Sequence, residues 1–274
     1  MSTTPSPAAS ANAAGGARIS LAFRPNLTTR IVIYLILAYA VFAATQLGFS
    51  WERFASGLGN GGKFLARMFP PDVSKGDILW GGIKETLQIA VLASLFGILF
   101  SLPIGLMGAR NLMPAWISWP ARAFVSICRS LHPVIVAILF VKAVGFGALA
   151  GILALIVASI GFIGKLFAEA IEEISIKQVE AIRATGASFM NVILFGVLPQ
   201  VLSRFVGFST YQLDSNLRNS TMVGIVGAGG VGGVLFSAFQ RFDYDFVLTI
   251  LLTIITIIVV GELLANSVKK VFNV

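Results

Sequence analysis

Two arginines set in long apolar surroundings are the residues of this sequence best suited to chemistry. Arg129 lies in the run from 121 to 141, and Arg218 follows the run that carries Arg204. A guanidinium offers a planar fork of N–H donors that matches the oxygens of phosphate-like anions. A charge held among apolar residues is costly, so it is a functional candidate by default. Arg129 and Arg218, with the hydroxyls of Ser220 and Thr221 beside the latter, are therefore candidates for a path that attracts an anionic substrate. The structural alternatives are snorkelling at a helix end or pairing with Asp214.

The remaining reactive residue types carry little. Cys128 is the sole cysteine, which rules out an intramolecular disulfide and a cysteine-based metal cluster. His132 is the sole histidine; it precedes Pro133 in an apolar run and reads as packed or hydrogen-bonded rather than as a metal ligand. No His, Asp and Glu residues cluster at ligand spacing and no nucleophile stands beside a base, so the sequence reads as a non-enzyme without a metal site.

Two glycine patterns imitate nucleotide sites. Gly227, Gly229 and Gly232 satisfy GxGxxG, but only about forty residues follow, most of them apolar, so no βαβ unit can be completed. Gly57 to Phe64 nearly spells the phosphate-binding loop, yet Phe64 lacks the hydroxyl that would ligate magnesium. The chain is therefore expected to hold no nucleotide itself.

The elements that must position these residues are set by composition. Of 274 residues, 57% are hydrophobic and only 12% charged, against roughly 25% charged in soluble domains. A span needs about 20 apolar residues to cross about 30 Å of hydrocarbon. Ile31–Phe49, Thr86–Ala109 and Ala143–Gly164 meet that test without a charge. Runs at about 121–141, 197–213 and 246–261 are interrupted or bordered by charge, and complete a set of about six spans. The expected fold is all-α, a polytopic membrane protein.

A net charge of +8 does not point to nucleic acid, because the cations are scattered between apolar runs and form no basic face. Arg18, Arg24 and Arg30 before the first span, and Lys269 and Lys270 after the last, put both ends in the cytoplasm by the positive-inside tendency. Arg53, Lys63, Arg67 and Lys75 then lie on the outer side, against that tendency. Residues 1–30 read as a disordered cytoplasmic tail, 31–79 as the first span with an interfacial segment on the outer leaflet, and 80–274 as the core domain.

One stretch looks like a water-facing loop. Phe167, Ala170, Ile171 and Ile174 recur at helical spacing with Glu169, Glu172, Glu173 and Lys177 opposite, which predicts an amphipathic helix leaving the membrane. A short helix around 180–185 is expected to end at Gly186, and Leu198-Pro199 to open the next helix.

In this loop Glu180-Ala181-Ile182-Arg183-Ala184-Thr185-Gly186, followed twelve residues later by Leu198-Pro199, resembles the cytoplasmic EAA loop of permease subunits of binding-protein-dependent ABC importers. Gly196 departs from the isoleucine usual in that family two residues before Leu-Pro. Glu85-Thr86-Leu87-Gln88-Ile89-Ala90 resembles the opening of the shared permease core. Ser220 to Gly232, with Gly224, Gly227, Gly229, Gly230 and Gly232, is similar to the glycine-rich segment of the phosphonate-transporter branch.

The resemblance implies a type I importer permease whose coupling helix lies between spans four and five, in a loop at about 165–199. Glu180, Ala181, Ala184, Gly186, Leu198 and Pro199 would form it, seated in a groove of an ATPase subunit that binds the ATP and magnesium. It further implies an extracytoplasmic substrate-binding protein, a second permease in a homodimer, and cargo such as phosphonate, phosphite or phosphate crossing the cytoplasmic membrane by alternating access. The competing class is an ion-coupled secondary transporter, which would show inverted repeats and broken helices around a midplane site; no internal repeat is evident.

Overall fold

The computed structural model describes residues 27–48 and 50–271. The tail expected over the first residues lies, up to residue 26, outside that range. All described secondary structure is helical. The chain divides into residues 1–63 and 64–274. The first holds the apolar α1 (Leu27–Gln46) and most of α2 (Trp51–Arg67), whose glycines 57 to 62 are helical and form no phosphate-binding loop.

The second unit is a helix bundle: α3 (Gly76–Gly108), α4 (Ala115–Ser130), α5 (Pro133–Val144), α6 (Ala148–Glu172), α7 (Ile176–Ala184), α8 (Phe189–Asn191), α9 (Leu198–Val223), α10 (Gly230–Gln240) and α11 (Tyr244–Val271). Five helical stretches in the described chain are long and apolar enough to cross a membrane, counting 189–228 as one, and the bent pair α4 and α5 makes a sixth. With 33 residues, α3 is about 50 Å long and so outreaches the roughly 30 Å of hydrocarbon.

Lipid offers no hydrophobic drive between helices, so small residues that let backbones approach decide the packing. Along the α3–α6 contact, a Cβ on Gly97 would stand 2.4 Å from Ser159 Cβ, and one on Gly105 would stand 2.8 Å from the Phe167 ring. Ala90, Ala93, Ala150 and Ala154 are buried in the same manner. At one end of the bundle, Lys75 binds Asp243 at 3.0 Å and Thr249 donates to the Asp72 carbonyl at 2.7 Å, tying the start of α3 to α11. At the other end, Arg122 pairs with Glu172 at 2.6 Å and donates to the Gly108 carbonyl at 2.8 Å.

Three boundaries differ from those read in the sequence. The single span expected over 121–141 is two helices meeting at 91°. Pro133 starts α5, which frees the preceding residue from helical geometry, and His132 caps it by accepting from the Val134 amide at 3.3 Å. The span expected to stop at Gly164 instead runs on to Glu172, so the amphipathic loop helix is the end of α6 itself. Leu198-Pro199 does not open its helix, which begins at Phe189. A π-helical stretch at Val192–Val197 precedes the proline; wider turns there relieve the clash of its ring with an upstream carbonyl.

Candidate functional site

Helix α7 stands between α6 and α9 at the end of the bundle marked by Arg122 and Glu172. Its inward side is Val179, 2% exposed, which joins Phe167, Ile171, Val192, Val197 and Val201 in a core, with Ile182 packed beside them. Glu180, Ala181, Arg183 and Ala184 are exposed. At 3.6 residues per turn, Val179 and Ile182 three positions apart share the inward face and leave these residues outside. Gly186 follows at φ +78°, with no atom near its missing Cβ, so the turn requires glycine for its backbone and not for space. Leu198 is half-buried and Pro199 exposed. Gly196 lies 3.6 Å, by its absent Cβ, from the Val179 backbone, so the glycine that replaces a bulkier residue allows α7 to seat closely. Two side chains tether the loop: Glu173 pairs with Arg204, and Gln200 accepts from the Ser175 amide at 3.0 Å.

The glycine-rich segment lies at the opposite end. Gly224 to Ala228 form a π-helical turn that ends α9, and Gly229 at φ +82° redirects the chain into α10. A Cβ on Gly232 would stand 1.9 Å from the Thr221 carbonyl oxygen, and one on Gly224 would stand 2.9 Å from the Gly232 Cα, so α9 and α10 meet backbone to backbone. The segment is helical on both sides of the turn and offers no strand for a dinucleotide fold. Gly147 and Gly151 pack here: Gly147 N–H donates to the Gly227 carbonyl at 3.0 Å, and Gly151 abuts the Ala228 carbonyl.

Two α3 side chains hold the start of α10. Glu85 Oε2 accepts from Gly230 N–H and Thr86 Oγ1 from Val231 N–H, each at 2.8 Å. These are the free donors of a helix N-terminus, where a carboxylate is also favoured by the helix dipole. Glu85, Gly147, Gly227, Gly229, Ser237 and Arg241 border a cavity of about 880 Å³.

The structure separates the two arginines. Arg218 pairs with Asp214 at 2.5 Å, one turn earlier on α9, the structural alternative weighed above. Arg129 has no carboxylate partner among the described residues. Ser220 is fully buried and donates to the Leu217 carbonyl of its own helix at 2.8 Å. Thr221 is half-buried, and its carbonyl crowds Gly232.

Sequence reasoning missed a buried polar network. Gln212 Nε2 donates to Ser159 Oγ at 2.9 Å and to Asn216 Oδ1 at 3.0 Å, while Asn216 Nδ2 donates to Ser94 Oγ and Ser159 Oγ, each at 3.0 Å. The network joins α3, α6 and α9, and all four residues are buried. Its signal was present: Gln212 and Asn216 lie one turn apart in a membrane run.

Apolar helices of spanning length, one broken pair and tight glycine contacts define a multi-pass integral membrane protein. Residues 101–273 match the family described as binding-protein-dependent transport system inner membrane component. The phosphate-import permease protein PhnE of Mycolicibacterium smegmatis is 40% identical over 75% of this chain and 39% of its own length, so this chain spans less than half of that relative. The phosphite transport system permease protein PtxC of Stutzerimonas stutzeri is 38% identical over 74% of each chain. In structure, the chain is similar to the inward-facing MetNI methionine ABC transporter, with a TM-score of 0.64 and 26% identity over 73% of this chain and 99% of that one. The chain belongs to the family of binding-protein-dependent transport inner membrane components, within its phosphonate-transporter permeases.

Proposed function

We propose that this chain is the membrane-crossing permease subunit of an ATP-driven importer that carries phosphonate or a related phosphorus oxyanion, phosphite and phosphate included. The names of the relatives support the cargo class. The observation that carries the mechanism is α7: a short helix anchored by Val179 and Ile182, with Glu180, Ala181 and Ala184 on its outer side. A helix so mounted can pass movement to the bundle, because the core under it also contains residues of α6 and α9. A partner that binds one arrangement of α7 more tightly shifts the whole equilibrium by that difference in affinity.

In this reading the ATPase subunit seats α7 and holds the nucleotide and magnesium, so the permease itself requires no cofactor. Gly186, Leu198 and Pro199 shape the loop behind the contact. An extracytoplasmic binding protein delivers the oxyanion to the glycine-rich end, and a second copy of the chain completes the path. In this reading both termini lie in the cytoplasm, as the flanking cations suggest. The permease makes and breaks no covalent bond.

The test is reconstitution of the complete transporter in proteoliposomes. Oxyanion uptake should require ATP, and Ala184→Trp should abolish both uptake and the stimulation of ATP hydrolysis by the loaded binding protein. Uptake and stimulation that both survive Ala184→Trp would refute the coupling role of α7, and uptake without an ATPase subunit would refute the reading as a whole.

A further inference from the structure

We infer that the cavity at the break between α4 and α5 is a transfer subsite for the oxyanion, one that favours a tetrahedral anion still carrying a proton. The inference rests on the reading of this chain as a phosphorus-oxyanion permease. The cavity measures about 230 Å³ and is bordered by Arg129, Tyr211, Gln212, Ser215 and Asn219, with Cys128 in its wall. It lies level with Gly161, on which the Arg129 backbone packs, at the middle of the helix α6. Irregular backbone at membrane depth is tolerated where it lines a cavity, and discontinuous helices mark binding sites in transporters. Here the break at Leu131 and Pro133 forms part of the wall.

The lining has the chemistry of an anion site. Arg129, exposed on the surface of the chain, brings a positive charge with no carboxylate partner among the described residues. Ser215 and Asn219 lie one turn apart on α9 and bond each other at 3.3 Å, leaving the Ser215 hydroxyl hydrogen and a second Asn219 N–H to donate. Tyr211 adds a phenolic hydroxyl. Gln212 differs: its amide nitrogen is committed to Ser159 and Asn216, so its carbonyl oxygen is the group left over, and it only accepts. One cation, several donors and a buried amide oxygen that can only accept suit a singly protonated phosphate or phosphonate. Sulfate has no proton to give the acceptor and would leave it unpaired, which is how polar sites reject close analogues.

Cys128 is the sole cysteine of the chain, so in a Cys128→Ala background carrying Ser215→Cys the label found on the permease chain itself reports on this cavity alone. The permease assembled with its ATPase in nanodiscs is treated with small thiol reagents of opposite charge. The anionic reagent should react about tenfold faster than the cationic one, as expected of a positively charged cleft. Arg129→Gln should remove the preference and Arg129→Lys retain it, and millimolar phosphate or methylphosphonate should slow the reaction while sulfate does not. An unreactive thiol, confirmed with Asn219→Cys in the same background, equal rates for the two reagents, or a preference that survives Arg129→Gln would overturn the subsite. Equal protection by sulfate would overturn the role of Gln212. Uptake by the unaltered reconstituted transporter is measured alongside; its absence counts against the importer reading, whereas its presence with any of these outcomes counts against the subsite alone.

Discussion

The Glu85 carboxylate accepts a hydrogen bond of 2.8 Å from the backbone amide of Gly230, a residue 145 positions further along the chain. With Thr86 bonded to Val231, it gives α10 its N-terminal cap from a different helix. Capping in trans has a measurable consequence. Glu85→Ala and Thr86→Val should each lower stability by about 1–3 kcal/mol, because each leaves a helix-end donor without its acceptor. Glu85→Gln, which keeps an acceptor oxygen, should cost less. Thermal unfolding of the complex in nanodiscs measures this, and a Thr86→Val protein as stable as the parent would refute it.

Asn216 is fully buried and bonds Ser94 and Ser159 on two other helices. Interhelical hydrogen bonds in membrane proteins contribute about 0.6–1.7 kcal/mol each, so Asn216→Ala should destabilise the bundle by roughly 1–3 kcal/mol. Asn216→Asp should be worse, since it places a charge or a mismatched proton in a network with no cation. The measured order of the two melting temperatures decides between this account and simple cavity formation, in which the aspartate would be the milder change.

Neighbouring glycines in the same motif should respond in opposite ways. A Cβ on Gly232 would stand 1.9 Å from a backbone oxygen, whereas the nearest atom to one on Gly233 is 3.7 Å away. Gly232→Ala is therefore expected to separate α9 from α10 at a cost of about 1–3 kcal/mol or more and to reduce the yield of assembled complex. Gly233→Ala should assemble normally, and size-exclusion profiles of the two variants give the answer.

Acid should loosen the end of the bundle where α3 meets α11. The hydrogen bond from Lys75 holds the Asp243 carboxyl below its ordinary range, against the opposing effect of burial. Asp72 is lowered likewise, first by its hydrogen bonds with Ser74. A depressed carboxylate contributes stability that is present above the unfolded pKa of about 3.9 and is lost as pH falls through the lower folded value. The melting temperature should therefore drop below about pH 4, and drop less in Asp243→Asn. Parallel acid profiles for the two proteins would exclude the pair as a contributor.

The features that could be read in the sequence follow from solvent. Apolar runs such as 86–109 must be helical in lipid, because no water is present there to satisfy the backbone. Gly186 was recognisable as a helix stop because the left-handed turn penalises other residues. The EAA-like pattern stood out because an exposed loop between spans is composed unlike its surroundings. Even the ambiguity of Arg218 was legible, since Asp214 one turn away offered a partner, and the two are paired.

Sequence by itself thus determined the class: an all-helical membrane protein of about six spans, with a short helix exposed in a loop and glycines reserved for close contact. It did so because the period of the helix and the absence of water act on residues near in sequence. Only tertiary structure decided which polar groups meet. Ser94 and Asn216 are 122 residues apart, and nothing local to either says that three helices converge on Ser159. The 91° break that sets Arg129 against Ser215 and Asn219 belongs with these. Pro133 allowed a break, but its direction depends on how α5 packs on α6 through Val136, Ala137 and Ala154.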